Sequence, residues 1–121
     1  NLFVAGWGKT ESANQNPIKL KLKVPVAERS QCSSKFRSAG ITLKDSQICA
    51  GGKKGKDSCT VVMLLPGDSG GPLMRTTKND SSQWYVEGLV SFGTKCGSEG
   101  WPGVYTKVYE YIDWIYENVK E

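Results

Sequence analysis

The segment Lys19-Leu20-Lys21-Leu22-Lys23-Val24 alternates strictly between cation and aliphatic, and this period of two fits only a strand with one face in water and the other on a core. Asn1 to Gly8 reads as a strand entering a glycine turn, Gln47 to Ala50 as a short strand, and Leu73 to Arg75 and Trp84 to Phe92 as strands joined by the polar segment Thr76 to Gln83. Val104 to Val108 is a further strand, and Glu28 to Arg37 reads as a short helix or an irregular turn. At the end of the chain the period changes. Tyr111, Ile112, Ile115 and Val119 recur at three-to-four spacing with Glu110, Asp113, Glu117 and Lys120 between them, which predicts a terminal amphipathic helix. With 121 residues there is room for one core, so the pattern predicts an all-β domain: an antiparallel β-barrel, or half of one, closed by a single helix.

Charge and cysteine content narrow the function classes. Sixteen Lys and Arg against twelve Asp and Glu give a net charge of +4. The basic residues gather at Lys19, Lys21 and Lys23 and at Lys53, Lys54 and Lys56, without interleaved aromatics, so both groups read as solvated faces and no nucleic-acid partner is expected. The longest apolar run, Val61 to Pro66, is far below the roughly 18 residues that cross a bilayer, so no membrane span is expected. The chain starts at Asn1 without Met or a leader, which fits a processed chain or one taken from a longer polypeptide.

Cys32, Cys49, Cys59 and Cys96 form no CxxC pair and there is no histidine, so neither a metal nor another cofactor is expected. An even count at wide spacing suggests disulfides, hence an oxidising compartment. Three pairings are open, as are four free thiols; pairing in chain order would close loops worth roughly 3 and 4 kcal/mol. Asn79-Asp80-Ser81 is a sequon in a polar stretch and marks Asn79 as a candidate glycosylation site.

Gly67-Asp68-Ser69-Gly70-Gly71-Pro72 carries the chemistry. Glycines on both sides of Ser69 admit backbone shapes closed to other residues, expose the serine oxygen, and leave N–H groups free to converge on an oxyanion. Alone, such a stretch is more often only a turn. Here it is accompanied, in order, by Ala5 to Glu11, Ile48-Cys49-Ala50-Gly51-Gly52, Lys56-Asp57-Ser58-Cys59, Val90 to Gly93, Gly100 to Thr106 and Tyr111-Ile112-Asp113-Trp114-Ile115. On these segments the chain resembles the C-terminal half of chymotrypsin-like (S1) serine endopeptidases, above all the arthropod clip-domain proteases of the Easter-like and prophenoloxidase-activating groups.

The resemblance implies that residues 1–121 form the second antiparallel β-barrel of the two-barrel trypsin-like fold, with a C-terminal helix packed against the barrel. Ser69 is implied as nucleophile, and the N–H groups of Gly67 and Ser69 as oxyanion hole. Asp68 is implied as the carboxylate that pairs with the amino terminus freed on zymogen cleavage. Asp57 would form the base of the specificity pocket, Ser58 its floor, Gly93 and Gly103 its walls, and Phe92 an aromatic wall beside it. Ser91 and Gly93 would pair with the substrate backbone. The implied disulfides are Cys32 with Cys49 and Cys59 with Cys96. A carboxylate in a narrow slot selects a cation, so cleavage after Arg or Lys is implied. The activity implied is that of a secreted zymogen in an extracellular cascade, of melanization or Toll type, with protein substrates and a serpin as partners.

Two departures qualify this reading. Serine acyl transfer needs a general base, normally an imidazole oriented by a carboxylate, and the chain has no histidine; that pair lies in the family's preceding half, so the isolated fragment is expected to be inactive, marginally folded and apolar on the face that meets the missing barrel. Secondly, Thr60 to Pro66 places seven residues where the family has one before the oxyanion glycine. The insertion either loops outward, or displaces Gly67, or is an artefact of splicing or gene assembly. The alternative to an enzyme is a non-catalytic homologue that binds a partner through the retained pocket.

Overall fold

The computed structural model describes residues 2–7, 17–52, 69–93 and 100–120. In chain order it has β1 (Leu2–Gly6), β2 (Leu20–Val24), α1 (Arg29–Ser38), β3 (Gln47–Ala50), β4 (Pro72–Thr76), β5 (Trp84–Phe92), β6 (Gly103–Lys107), a 3₁₀ turn (Val108–Tyr111) and α2 (Ile112–Asn118). The strands form one antiparallel sheet in the order β2-β1-β4-β5-β6-β3. Its two end strands are joined beyond β2, where Val26 bridges Ala50, Ala27 N–H donates to the Cys49 carbonyl at 3.1 Å, and Gly51 N–H donates to the Pro25 carbonyl at 2.8 Å. The sheet thereby curls into an antiparallel barrel, the all-β architecture expected from the strand pattern.

Alternation fills the barrel. Leu2 and Val4 of β1 point inward with Val24, Leu73, Val90, Tyr105 and Ala50, and Leu22 and Ile48 pack against them from partly buried positions. On β2 the aliphatics face this core while Lys21 and Lys23 stay exposed, as the period of two requires. Cys49 and Val104, paired in register, point out through the other face of β3 and β6 and meet α1. There a second core forms from Cys32, Phe36, Leu43, Cys49 and Val104, flanked by Ala27, Phe92 and Trp101.

The segment 28–37, open between helix and turn in the sequence, falls in the helix α1, with Glu28 as its N-cap. It contributes Cys32 and Phe36, one turn apart and each 1% exposed. A disulfide joins Cys32 to Cys49 and so ties α1 to β3. At its start, Arg29 donates to the carbonyls of Gln47 (2.6 Å) and Lys44 (2.7 Å). At its end, Gly40 N–H donates to the Arg37 carbonyl and Ile41 N–H to the Phe36 carbonyl, the paired bonds that satisfy the last orphan carbonyls of a helix.

Two expectations are corrected. The terminal helix does not bury a face on the barrel: no residue of α2 is buried, and Trp114, Tyr116 and Val119 are more than half exposed. It also starts later than its periodicity suggests, because Val108–Tyr111 forms the 3₁₀ turn. Lys19, just before β2, and Lys21 within it have no aromatics interleaved in the sequence, but rings lie beside them in the fold. Lys21 Nζ lies 5.4 Å from the Phe3 ring and 5.2 Å from that of Trp84, Lys19 lies 5.4 Å from Trp7, and Phe3 meets Trp84 edge-on at 5.3 Å. Phe3 comes from β1, Trp7 from just beyond it and Trp84 from β5, which spacing along one strand does not reveal. These contacts place cations on π faces.

Candidate active site

Ser69 is exposed and opens a turn with Gly70 that leads directly into β4. Gly70 has φ +84°, the left-handed region, and a Cβ there would meet nothing within 4 Å. The requirement for glycine is therefore conformational and not one of space. Two hydrogen bonds pin this turn to β5: Gly70 N–H donates to the Val90 carbonyl and Val90 N–H to the Gly71 carbonyl, both at 2.9 Å. The turn bearing Ser69 is thus held beside Ser91, the next residue along β5.

At Ser91 the ladder is interrupted. Val90 pairs with Tyr105 and Phe92 with Val104, so Ser91 is the extra residue of a bulge. Bulges bend a strand and re-aim side chains, and often border active sites. Ser91 and Gly93 are exposed around a partly buried Phe92. Phe92 is held by Phe36 of α1, whose ring also meets Trp101: the centroids are 5.7 and 5.3 Å apart and the planes nearly perpendicular, at 88° and 87°. Edge-to-face geometry sets the positive rim of one ring on the negative face of another. The disulfide ties α1 to β3, and Phe36 of α1 backs Phe92 from behind.

Gly103, buried in β6, pairs with Ala50 at the end of β3, and Pro102 sits immediately before it. A Cβ on Gly52 would lie 2.8 Å from the Pro102 nitrogen, so the backbones of 52 and 102 approach too closely for any other residue. Beside this contact is a cavity of about 290 Å³ lined by Glu28, Gln31, Lys35, Gly52 and Pro102, with Lys35 Nζ bonded to the Gly100 carbonyl. Beneath the site, Tyr105 is 2% exposed, and desolvation pushes its phenol far above the ordinary tyrosine value. It stays neutral.

The structure thus brings Ser69, Ser91, Phe92 and Gly93 to one end of β5 and places Gly103 on the adjoining strand. Asp57, Ser58, Gly67 and Asp68, the second cysteine pair Cys59 and Cys96, and the insertion Thr60 to Pro66 lie outside the described residues. Asn79 is exposed on the β4–β5 connection, at the opposite end of the sheet from Ser69. Sequence reasoning missed Phe36 and Trp101 because their partners are remote in the chain. The only local signal was Phe36 four residues after Cys32. Among the described residues there is no cluster of His, Cys, Asp and Glu able to hold a metal ion, and no helix long and apolar enough to cross a membrane.

Comparison with known proteins decides the family. The model of the family described as Trypsin matches residues 1–115. The chain belongs to the trypsin family. Among curated relatives it is similar to phenoloxidase-activating factor 1 of Holotrichia diomphalia, with 52% identity over 119 residues. It is also similar to CLIP domain-containing serine protease B4 of Anopheles gambiae (50% over 118) and serine protease ea of Drosophila melanogaster (47% over 119). The alignments cover 98%, 97% and 97% of this chain but only 30%, 30% and 29% of those relatives. The chain therefore spans less than a third of the length of these three relatives.

Proposed function

We propose that residues 1–121 are the C-terminal half of a trypsin-like serine endopeptidase domain, and that the parent protein cleaves after Arg or Lys. The observation that carries the reading is the exposed Ser69 on a glycine turn pinned to β5 beside Ser91. In this family member Ser69 Oγ attacks the substrate carbonyl carbon while its proton passes to an imidazole supplied by the preceding half. The tetrahedral oxyanion is held by the N–H groups of Gly67 and Ser69. The C–N bond breaks as the imidazolium protonates the leaving amine, and water then hydrolyses the acyl-enzyme by the same proton route. Asp57 selects the cationic side chain between the walls Gly93 and Gly103, and Asp68 pairs with the amino terminus freed on activation.

The Cys32–Cys49 disulfide supports folding in an oxidising, extracellular compartment. Likeness to a phenoloxidase-activating factor supports a place in an extracellular proteolytic cascade, in which a serpin would be the matching inhibitor. The exposed apolar residues of α2 support a missing first barrel as partner.

A second reading, a non-catalytic homologue, draws on the seven residues Thr60 to Pro66 ahead of Gly67. Loss of one oxyanion donor would cost about a hundred- to thousandfold in rate. The test is a peptide library, varied at the residue before the scissile bond and offered to the activated parent protein. Turnover restricted to Arg and Lys, lost on Asp57→Ser, supports the protease. No turnover of any member, with the preceding half's histidine present, supports the homologue.

A further inference from the structure

We propose that Asn79 is an N-glycosylation site of the parent protein, with its glycan on the end of the barrel remote from Ser69. Asn79-Asp80-Ser81 is the only Asn-x-Ser/Thr triplet in the sequence with a non-proline centre. The structure gives it the presentation that an acceptor requires. Asn79, Asp80 and Ser81 are all exposed in the connection between β4 and β5. Bonds that shape this connection run through its other side chains: Asp80 N–H donates to Thr77 Oγ1 (3.0 Å), and Ser82 donates to Asp80 Oδ1 from both its N–H (2.9 Å) and its Oγ (2.6 Å). These bonds hold the Asp80 carboxyl below the ordinary aspartate range, the Ser82 hydroxyl contributing most. The turn therefore has a scaffold that modification of the Asn79 amide would leave intact.

The Cys32–Cys49 disulfide is an independent mark of passage through an oxidising secretory compartment, where acceptor asparagines meet the transferase. The step is a substitution at a sugar carbon. The Asn79 amide nitrogen bonds to the anomeric carbon of a lipid-pyrophosphate-linked oligosaccharide, the bond from that carbon to the pyrophosphate oxygen breaks, the lipid pyrophosphate leaves, and one amide proton is released.

Topology then fixes what the glycan does not obstruct. Ser69 precedes the first residue of β4, whereas Asn79 follows its last; five residues of strand separate the two ends by about 17 Å. Along β5, Trp84 is at the glycan end and Phe92 at the site end, eight residue steps or about 26 Å apart. A bulky sugar on Asn79 is compatible with substrate access to Ser91 and Gly93.

The test is mass mapping of the full-length parent protein secreted from insect cells. The tryptic peptide beginning at Asn79 is expected to carry a glycan, and to show Asp at 79 after amidase release. Asn79→Gln and, for a variant that keeps the asparagine, Ser81→Ala should each lose the glycan, with cleavage of an arginyl substrate within twofold of wild type. Unmodified Asn79 as the predominant form would overturn the proposal. A glycan that persists in Ser81→Ala would overturn it equally.

Discussion

Phe36 is the residue through which the Cys32–Cys49 crosslink reaches the candidate site, and replacing it separates packing from chemistry. Phe36→Leu keeps an apolar side chain in the second core but removes both edge-to-face contacts, to Phe92 and to Trp101. At about 0.5–1.5 kcal/mol for each aromatic pair beyond burial, the loss is about 1–3 kcal/mol. Phe36→Ala also removes buried area at a position 1% exposed, and costs about 3–5 kcal/mol. Denaturant unfolding of the intact protease domain reads these differences directly. In kinetics, a loosened Phe92 should raise KM for arginyl peptides more than it lowers kcat if Phe92 borders bound substrate as proposed, since the turn bearing Ser69 is held through Val90. A Phe36→Leu protein that matches wild type within about 0.5 kcal/mol and in KM would refute the reasoning that the helix supports the wall.

Other outcomes follow from the same geometry. Gly70→Ala meets no steric obstacle but must adopt φ +84°, so stability should fall by about 1–2 kcal/mol, and reaction of Ser69 with active-site reagents should slow as the turn relaxes. Unchanged labelling kinetics would show that the turn tolerates another conformation. Tyr105 has its pKa raised by burial, so the stability due to its neutral phenol is complete below the ordinary tyrosine value near 10 and is lost as pH rises through the higher folded value. Phenolate absorbance from Tyr105, isolated by difference against Tyr105→Phe, should therefore appear only with alkaline unfolding. A titration near pH 10 in the folded protein would contradict its burial.

How far the sequence anticipates this molecule depends on the range of each signal. β2 was legible because its alternation is local and complete, and β5 because aromatic and β-branched residues run from Trp84 to Phe92 between polar and glycine-rich flanks. α1 was ambiguous since only Cys32 and Phe36 mark its buried face. The terminal helix announced an apolar stripe, but a stripe does not name its partner, and α2 leaves Trp114 and Tyr116 exposed. At the site, Ser69 stood out because glycines flank it within a few residues. The bulge at Ser91, and the edge-to-face contacts of Phe36 with Phe92 and Trp101, depend on strand register and on contacts between distant segments. Neither leaves a periodic trace.

The most direct measurement is fluorophosphonate labelling of the activated full-length protein, followed by mass mapping of the tryptic peptide from Asp57 to Arg75. The account predicts an adduct on Ser69, absent in Ser69→Ala. The same spectrum reads whether Thr60 to Pro66 is present in the labelled form. An activated protein that retains the histidine of its preceding half, yet yields this peptide unlabelled, would contradict the assignment of Ser69 as a nucleophile.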